Sequence, residues 1–221
     1  LALTTRLRCF TEAPADDEVR SELERLAADL GAFEELAAAY EDAIDRGAPE
    51  PLAGELWRRL ASIYGERLAR FDLAARAWTE CLNRDPKDTY VLEALAQIYR
   101  RTNQYRELSV VMRRQLALEP NVAGQVNLLF DLATLAEDTL SDKPLAATAY
   151  QAILERKPDD GNALKLLGRL FAEMEKWPEL AGVLAREVQL AETQGQDEEA
   201  RELLVRLGRL KLTRLGDPRG A

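Results

Sequence analysis

The sequence predicts an all-α fold in which antiparallel helix hairpins stack side by side as a solenoid. Three observations predict it: a composition that favours helices, turn signals at short intervals, and an internal duplication. Of the 221 residues, 47% are apolar and 31% charged, and the abundant Ala, Leu, Glu and Arg are strong helix formers. Val and Ile are sparse, and no segment alternates as a half-buried strand does.

Turn-forming residues divide the chain into helices of roughly 12 to 20 residues. These turn signals fall at 29–33, 46–51, 84–88, 101–105, 119–121, 140–144, 157–160, 175–178, 193–197 and 215–218. Asp142 and Asp217 are candidate N-caps, with Pro144 and Pro218 in the first helical turn, where a missing N–H costs nothing. Because the connections are short, consecutive helices should pair antiparallel.

One stretch of the chain is nearly repeated further on. Residues 68–88 and 140–160 lie 72 residues apart and are identical at nine of 21 aligned positions. The leucines that anchor successive first helices are separated by 37, 35, 37, 35 and 40 residues; they are Leu23, Leu60, Leu95, Leu132, Leu167 and Leu207. An interval of 35 followed by one of 37 reproduces the 72-residue period, so the repeating unit is a pair of unlike hairpins.

The two kinds of hairpin differ by one residue between their helices. Tyr64 and Ala74 are ten residues apart, whereas the corresponding Tyr99 and Leu108 are nine apart. Alternate hairpins therefore need a longer connection.

Signature residues recur at matching places in these hairpins. First-helix signatures are Trp57-x2-Leu60-Ala61-x2-Tyr64, Leu92-x2-Leu95-Ala96-x2-Tyr99, Leu164-x2-Leu167-Gly168-x2-Phe171 and, more weakly, Leu129-x2-Leu132-Ala133-x2-Ala136. Second-helix signatures are Ala74, Trp78, Cys81, Pro86 and Ala146, Tyr150, Ile153, Pro158. This pattern resembles the tetratricopeptide repeat, a helix hairpin of about 34 residues. The resemblance implies a right-handed superhelix whose first helices line a concave groove.

The resemblance covers most of the chain as one array of about six degenerate repeats. They span roughly 17–50, 52–87, 88–120, 122–158, 160–194 and an incomplete 197–221. Departures fall near both ends: Arg20 and Ala27 replace bulky residues, Lys211 replaces an aromatic one, and Glu187 stands where a small residue is usual. We expect less regular stacking there. The incomplete last repeat predicts a slice of a longer array.

Composition argues against several functions. With no histidine and only two isolated cysteines, a thiolate–imidazole metal site and Ser-His or Cys-His catalysis are not expected. A net charge of −9 argues against nucleic-acid binding. No apolar run reaches the roughly 18 residues of a membrane span, so direct insertion is not expected. We therefore expect a non-enzymatic protein without a cofactor.

The resemblance implies protein–protein binding, with a partner segment lying in the concave groove. Residues about two positions from the anchor leucines, and one turn earlier, should face it. They are Arg58, Tyr90, Gln97, Asn127, Phe130, Thr134, Asn162, Lys165, Arg169 and Arg209. The cations among them would suit acidic partner residues or a carboxylate. The aromatic rings would anchor apolar groups.

Other interpretations remain open at this stage. The cations could be ordinary solvated charges, and Phe130 could pack between neighbouring helices. The array could be a structural spacer or a self-assembling arm, or it could regulate an enzyme carried elsewhere in a longer protein. Nothing in the sequence decides between a cytoplasmic and a periplasmic location.

Overall fold

The computed structural model describes residues 2–217, and within that range it contains twelve α-helices and no strand. The helices are α1 (Ala2–Glu12), α2 (Asp17–Leu30), α3 (Phe33–Asp45), α4 (Glu50–Ser62), α5 (Phe71–Arg84), α6 (Thr89–Arg101), α7 (Tyr105–Leu118), α8 (Val122–Thr134), α9 (Lys143–Arg156), α10 (Gly161–Glu173), α11 (Trp177–Thr193) and α12 (Asp197–Leu210). The predicted all-α class of helix hairpins is confirmed. The predicted helix start at Pro218 lies outside the described residues.

The helices form two compact units, Leu1–Val111 and Met112–Ala221. In the first unit, α1 packs on α2 and α3, and each helix from α2 to α5 packs on the next helix along the chain. In the second unit, each helix from α8 to α11 does the same. Within each unit the chain therefore folds as consecutive hairpins, and twelve helices correspond to about six repeats.

The signature residues form the core of each unit. Leu60 and Leu95 in the first unit are at most 2% exposed, as is Leu167 in the second. Ala61 and Ala96 follow two of these leucines and are fully buried. Small side chains at these positions let neighbouring helices approach closely, while the leucines fill the space between them. The pattern visible in the sequence is thus a packing pattern.

An additional helix precedes the first predicted repeat. In α1, Phe10 is completely buried, and its ring centroid lies 5.3 Å from that of Tyr40 in α3. Helix α1 therefore covers the apolar side of the first hairpin, which would otherwise face water.

The extra residue of alternate hairpins forms a π-helical turn. Helices α4, α8 and α12 continue into the turns Ile63–Arg67, Leu135–Thr139 and Lys211–Leu215. At the end of α4, the carbonyl of Tyr64 accepts a hydrogen bond from the N–H of Arg70, six residues on. At the end of α6, the equivalent carbonyl of Tyr99 accepts from Gln104, five residues on. The wider turn takes up one residue and keeps both hairpins in the same packing register.

Each long connection ends in a left-handed residue. Ala69 has φ 51° and Ser141 has φ 53°, a region that costs a non-glycine residue roughly 1–2 kcal/mol. We expect Ala69→Gly to raise the free energy of unfolding by about 1 kcal/mol, because glycine adopts this conformation without strain. Urea denaturation followed by circular dichroism would measure the change.

Ala38→Gly provides the matched control. Ala38 is exposed in the interior of α3, where glycine should lower stability by about 1 kcal/mol. Two substitutions of the same kind should therefore have opposite signs. Destabilisation by both would show that the connection after α4 does not hold Ala69 in the left-handed region.

Arg20 shows how one departure from the repeat pattern is accommodated. Its side chain is 5% exposed in α2, where the signature calls for a bulky apolar residue. The guanidinium pairs with Asp17 in its own helix and with Glu55 of α4 at 3.2 Å. The aliphatic part of Arg20 thus fills the apolar position while its charge is neutralised at the edge of the hairpin.

Candidate functional site

All residues predicted to face the groove lie on first helices of the hairpins. Helix α4 carries Arg58; α6 carries Tyr90 and Gln97; α8 carries Asn127, Phe130 and Thr134; α10 carries Asn162, Lys165 and Arg169; and α12 carries Arg209. All of these side chains are exposed except that of Phe130, which is half-buried. The first helices therefore present a mainly polar face, and its members differ in what they contact.

In the first unit, Tyr90 and Gln97 line one cavity of about 260 Å³ between α4, α5 and α6. Trp78 of α5 is 5% exposed and also lines the cavity. The Tyr90 ring stands edge-on to Trp78, with centroids 5.6 Å apart, yet Tyr90 remains 61% exposed. The cavity thus has an aromatic wall that continues from the core to the surface.

The polar groups of this cavity come from the two first helices. Ser62 and Glu66 line it from the end of α4, and Gln97 lines it from α6. Arg101 places its guanidinium 4.4 Å from the ring centroid of Phe71, a cation–π distance. The cavity therefore combines aromatic surface with groups that can donate hydrogen bonds and groups that can accept them.

Arg58 forms an ion pair within the first unit. Its Nη2 donates to Oδ2 of Asp88 at 2.6 Å, and Oδ1 of Asp88 also caps α6 by accepting from the N–H of Val91. Burial opposes ionisation of Asp88, but the hydrogen bonds from Arg58 and Val91 outweigh it and hold the Asp88 pKa below its usual value. Arg58 thus fixes the start of α6 relative to α4.

Arg169 takes part in a contact that occurs once in each unit. In the second unit, Glu137 accepts hydrogen bonds from the Tyr150 hydroxyl, at 2.8 Å, and from Arg169. In the first unit, one carboxylate likewise accepts from a buried tyrosine and from an arginine of the next first helix; these residues are Glu24, Tyr40 and Arg59. Arg169 therefore ties α10 to the end of α8 in the same way that Arg59 ties α4 to α2.

Lys165 and Phe130 also have partners in the second unit. The Lys165 ammonium lies 3.0 Å from Oε1 of Glu199 in α12. The ring centroid of Phe130 lies 6.1 Å from that of Tyr150, edge-on. The half-buried Phe130 ring therefore packs against the second helix of its own hairpin.

Several residues that shape these surfaces were not among those predicted. Trp78 and Phe71 line the first-unit cavity from α5, a second helix, whereas only first-helix residues were predicted to face a partner. Arg101, in the last turn of α6, places its guanidinium over the ring of Phe71 and also lines the cavity. A signal for Trp78 existed, since bulky signature residues contact the next hairpin. The sequence did not show that the next hairpin leaves a cavity beside Trp78.

Two features of the described residues concern metal binding and cysteine chemistry. In residues 2–217, no group of three His, Cys, Asp or Glu side chains is arranged to hold a metal ion. Burial raises the pKa of the Cys81 thiol, which is the opposite of what activates a cysteine nucleophile. Across the same residues, no helix has both the length and the apolarity required to cross a bilayer.

The consecutive helix hairpins of the two units define a class of protein, the helical-repeat array. The tetratricopeptide repeat family model matches residues 91–125, which hold α6, α7 and the start of α8. The match confirms the resemblance predicted from the signature residues over this stretch, which is about one repeat long. The family consists of interaction modules, so the match supports a general protein-binding role.

Solved structures with similar folds include three helical-repeat proteins. MamA is 14% identical, with 81% of this chain and 93% of that chain covered and a TM-score of 0.43. A tetratricopeptide repeat protein from Parabacteroides merdae is 14% identical, with 97% and 88% covered and a TM-score of 0.43. YrrB, described as having an unusual peptide-binding site, is 15% identical, with 81% and 95% covered and a TM-score of 0.38. No curated protein matches the sequence.

Proposed function

We propose that this chain is a non-enzymatic interaction scaffold that binds a partner segment on the first-helix face, with the cavity beside Tyr90 as the main anchor site. The observation that supports it is the exposed aromatic wall: Tyr90 is 61% exposed although it stands against buried Trp78. Exposed aromatic rings at the edge of a cavity are frequent binding hot spots, because they bury much apolar area with few torsions to order.

The chemistry of the cavity defines the kind of segment it would accept. An apolar or aromatic side chain of the partner would fill the space between Tyr90 and Trp78. Ser62 and Gln97 lie close enough to the same cavity to hydrogen-bond an extended backbone. Such a segment would combine one buried anchor with polar contacts that fix its direction.

The predicted preference for acidic partners depends on four cations, and three of them already have a carboxylate. Arg58 pairs with Asp88, Lys165 with Glu199 and Arg169 with Glu137. An acidic guest would exchange one carboxylate for another and would gain little from an exposed pair. Arg209 is the fourth cation, exposed on α12. We therefore build the proposal on the aromatic cavity, and the acidic preference stays a prediction.

A selected peptide would test the proposal. Phage display of random dodecapeptides on the immobilised full chain should yield peptides that contain a large apolar residue. For such a peptide, we expect Tyr90→Ala to raise the dissociation constant by about tenfold or more, the effect of losing one hot-spot side chain. Fluorescence anisotropy with a labelled peptide would measure it.

Leu30→Ala serves as the matched control in the same unit. Leu30 is 65% exposed but does not line the cavity, so its loss should leave peptide affinity unchanged. Circular dichroism should show that both variants keep their helices. Peptides that bind Tyr90→Ala as tightly as the parent chain would contradict the cavity beside Tyr90 as the anchor, and failure to select any peptide would favour a spacer or self-assembling arm.

A further inference from the structure

Glu187 is a buried carboxylate at a second-helix position that is apolar in α5 and α9 and is a neutral polar residue, Gln115, in α7. In α11 it occupies the position that Cys81 holds in α5 and Ile153 holds in α9. All three side chains are buried, and Glu187 is only 7% exposed. An ionised carboxylate in this position loses most of its hydration, which is unfavourable unless a partner compensates for it.

No compensating partner is present among residues 2–217. Burial raises the pKa of Glu187. The positive charges of Arg206 and Lys165 lower it, but by less than burial raises it. Within the same residues, the one side-chain polar atom that is both sealed from water and without a hydrogen bond is Nε of Arg20. The Glu187 oxygens also lack a hydrogen bond, so they must keep an accessible edge.

That edge lies at a cavity of about 130 Å³ between α10, α11 and α12, which Glu187 lines. The cavity has room for several water molecules, and hence for the head group of one side chain. Gln194 and Gln196 also line it. Lys165 and Glu199 also line it, but they pair with each other at 3.0 Å. Their charges therefore largely cancel, and the charge of Arg206 is the main one that favours the ionised form of Glu187, without a hydrogen bond between the two side chains.

We propose that this cavity binds an arginine side chain of a protein partner, with Glu187 as the carboxylate that accepts its guanidinium N–H groups. The inference rests on the proposed scaffold function and adds a second, chemically different anchor to it. A guanidinium presents five donors in a planar fork, which matches one carboxylate together with the amide oxygens of Gln194 and Gln196. A lysine ammonium has three donors, a compact shape and a stronger hydration shell to lose, so it suits the cavity less well.

The proposal also explains why a destabilising residue stands in the core. A buried carboxylate without a partner lowers the stability of the free protein, and residues that break the packing pattern in this way tend to belong to functional sites. When an arginine enters, the same carboxylate acquires a charge-assisted hydrogen bond in a poorly hydrated place, where such a bond is strongest.

Small cations that mimic the two basic side chains would test the inference. Ethylguanidinium and n-butylammonium would be titrated into the 15N-labelled full chain and followed by amide chemical shifts. We expect saturable shifts at Gly161 and Gln194, which line the cavity, with ethylguanidinium binding more tightly than n-butylammonium. Glu187→Gln keeps the shape but removes the charge and should weaken ethylguanidinium by about tenfold or more.

Glu192→Gln is the matched control, because Glu192 lies on the same helix and is exposed. It should leave the titration unchanged, and circular dichroism should show unaltered helix content in both variants. Equal binding to Glu187→Gln, or n-butylammonium binding more tightly than ethylguanidinium, would overturn the assignment. Changes in the amide chemical shifts of Gly161 and Gln194 on titration with propionate would also overturn it, because the cavity would then be an anion site formed by Lys165.

The outcome is distinguishable from failure of the proposed scaffold function. The small-cation titration monitors the second unit only and needs no partner protein. The Tyr90→Ala experiment monitors the first unit with a selected peptide. A negative result in one experiment therefore does not decide the other. A selected peptide that contains arginine and requires Glu187 for binding would support both proposals.

Discussion

Leu129→Ala should lower the free energy of unfolding by about 2–5 kcal/mol, the cost of deleting a buried leucine side chain. Leu129 of α8 is 2% exposed and lies one helical turn before the anchor Leu132. Its removal loses apolar contact and leaves a cavity that the packed hairpin α8–α9 cannot fully close. Urea denaturation followed by circular dichroism would measure the difference.

Leu204→Ala is the matched control, because Leu204 lies one turn before the anchor Leu207 in α12. The two leucines have the same place in the repeat, but Leu204 is 49% exposed. Its truncation should therefore cost less than about 1 kcal/mol. Equal losses at both positions would mean that sequence position alone determines the contribution and that the difference in burial has no energetic consequence.

Glu187→Leu should stabilise the protein, by about 1–3 kcal/mol at about pH 8. The substitution replaces a buried carboxylate that lacks a partner with an apolar side chain of similar size. At the matching position, α5 carries Cys81 and α9 carries Ile153, so equivalent sites in this chain accommodate apolar side chains.

The size of this gain should depend on pH in a defined direction. Burial raises the pKa of Glu187 in the folded chain, so on raising the pH the unfolded chain loses the proton first, near its ordinary value of about 4.3. Above that pH, each further rise in pH lowers the free energy of unfolding. This decrease ends once the Glu187 carboxyl of the folded chain has itself ionised. The advantage of Glu187→Leu should thus be smallest at about pH 4 and largest at about pH 8.

Urea denaturation of both proteins at several pH values would show this dependence. The other titrating groups are shared, so the difference between the two curves isolates Glu187. A difference that does not change with pH, or a Leu variant less stable at high pH, would show that the carboxylate is well solvated or paired in the folded chain. That result would also weaken the case for an arginine site, whereas loss of ethylguanidinium binding on Glu187→Leu would strengthen it.

The hairpins were predictable because their causes are local. Prolines, N-cap residues and the spacing of Leu and Ala act within one or two helical turns, so they can be recognised in the sequence alone. Even the π-helical turns had a signal, since ten residues between Tyr64 and Ala74 against nine between Tyr99 and Leu108 required a longer connection. Helix α1 was not assigned to a repeat, because its contact between Phe10 and Tyr40 joins residues far apart in the chain and lacks the signature spacing.

The candidate site was predicted only in part, because helical spacing gives the face of a residue but not its neighbours. Tyr90 and Gln97 were expected on the first-helix face, and they line one cavity. Arg169 was expected to be available to a partner, but Glu137, 32 residues earlier, accepts its hydrogen bond. Phe130 was expected either to anchor a partner or to pack between neighbouring helices, and it is half-buried against Tyr150.

The sequence by itself thus determined the all-α class, the order of the hairpins, the unlike pair that repeats every 72 residues and the set of residues on the first helices. Tertiary structure decided which of those residues remain available to a partner. It paired Arg58 and Lys165 with carboxylates, left Tyr90 exposed beside Trp78, and buried Glu187 without a partner. The physical reason is that charge pairing and burial depend on side chains about one repeat apart, whose approach is set by helix packing rather than by local sequence.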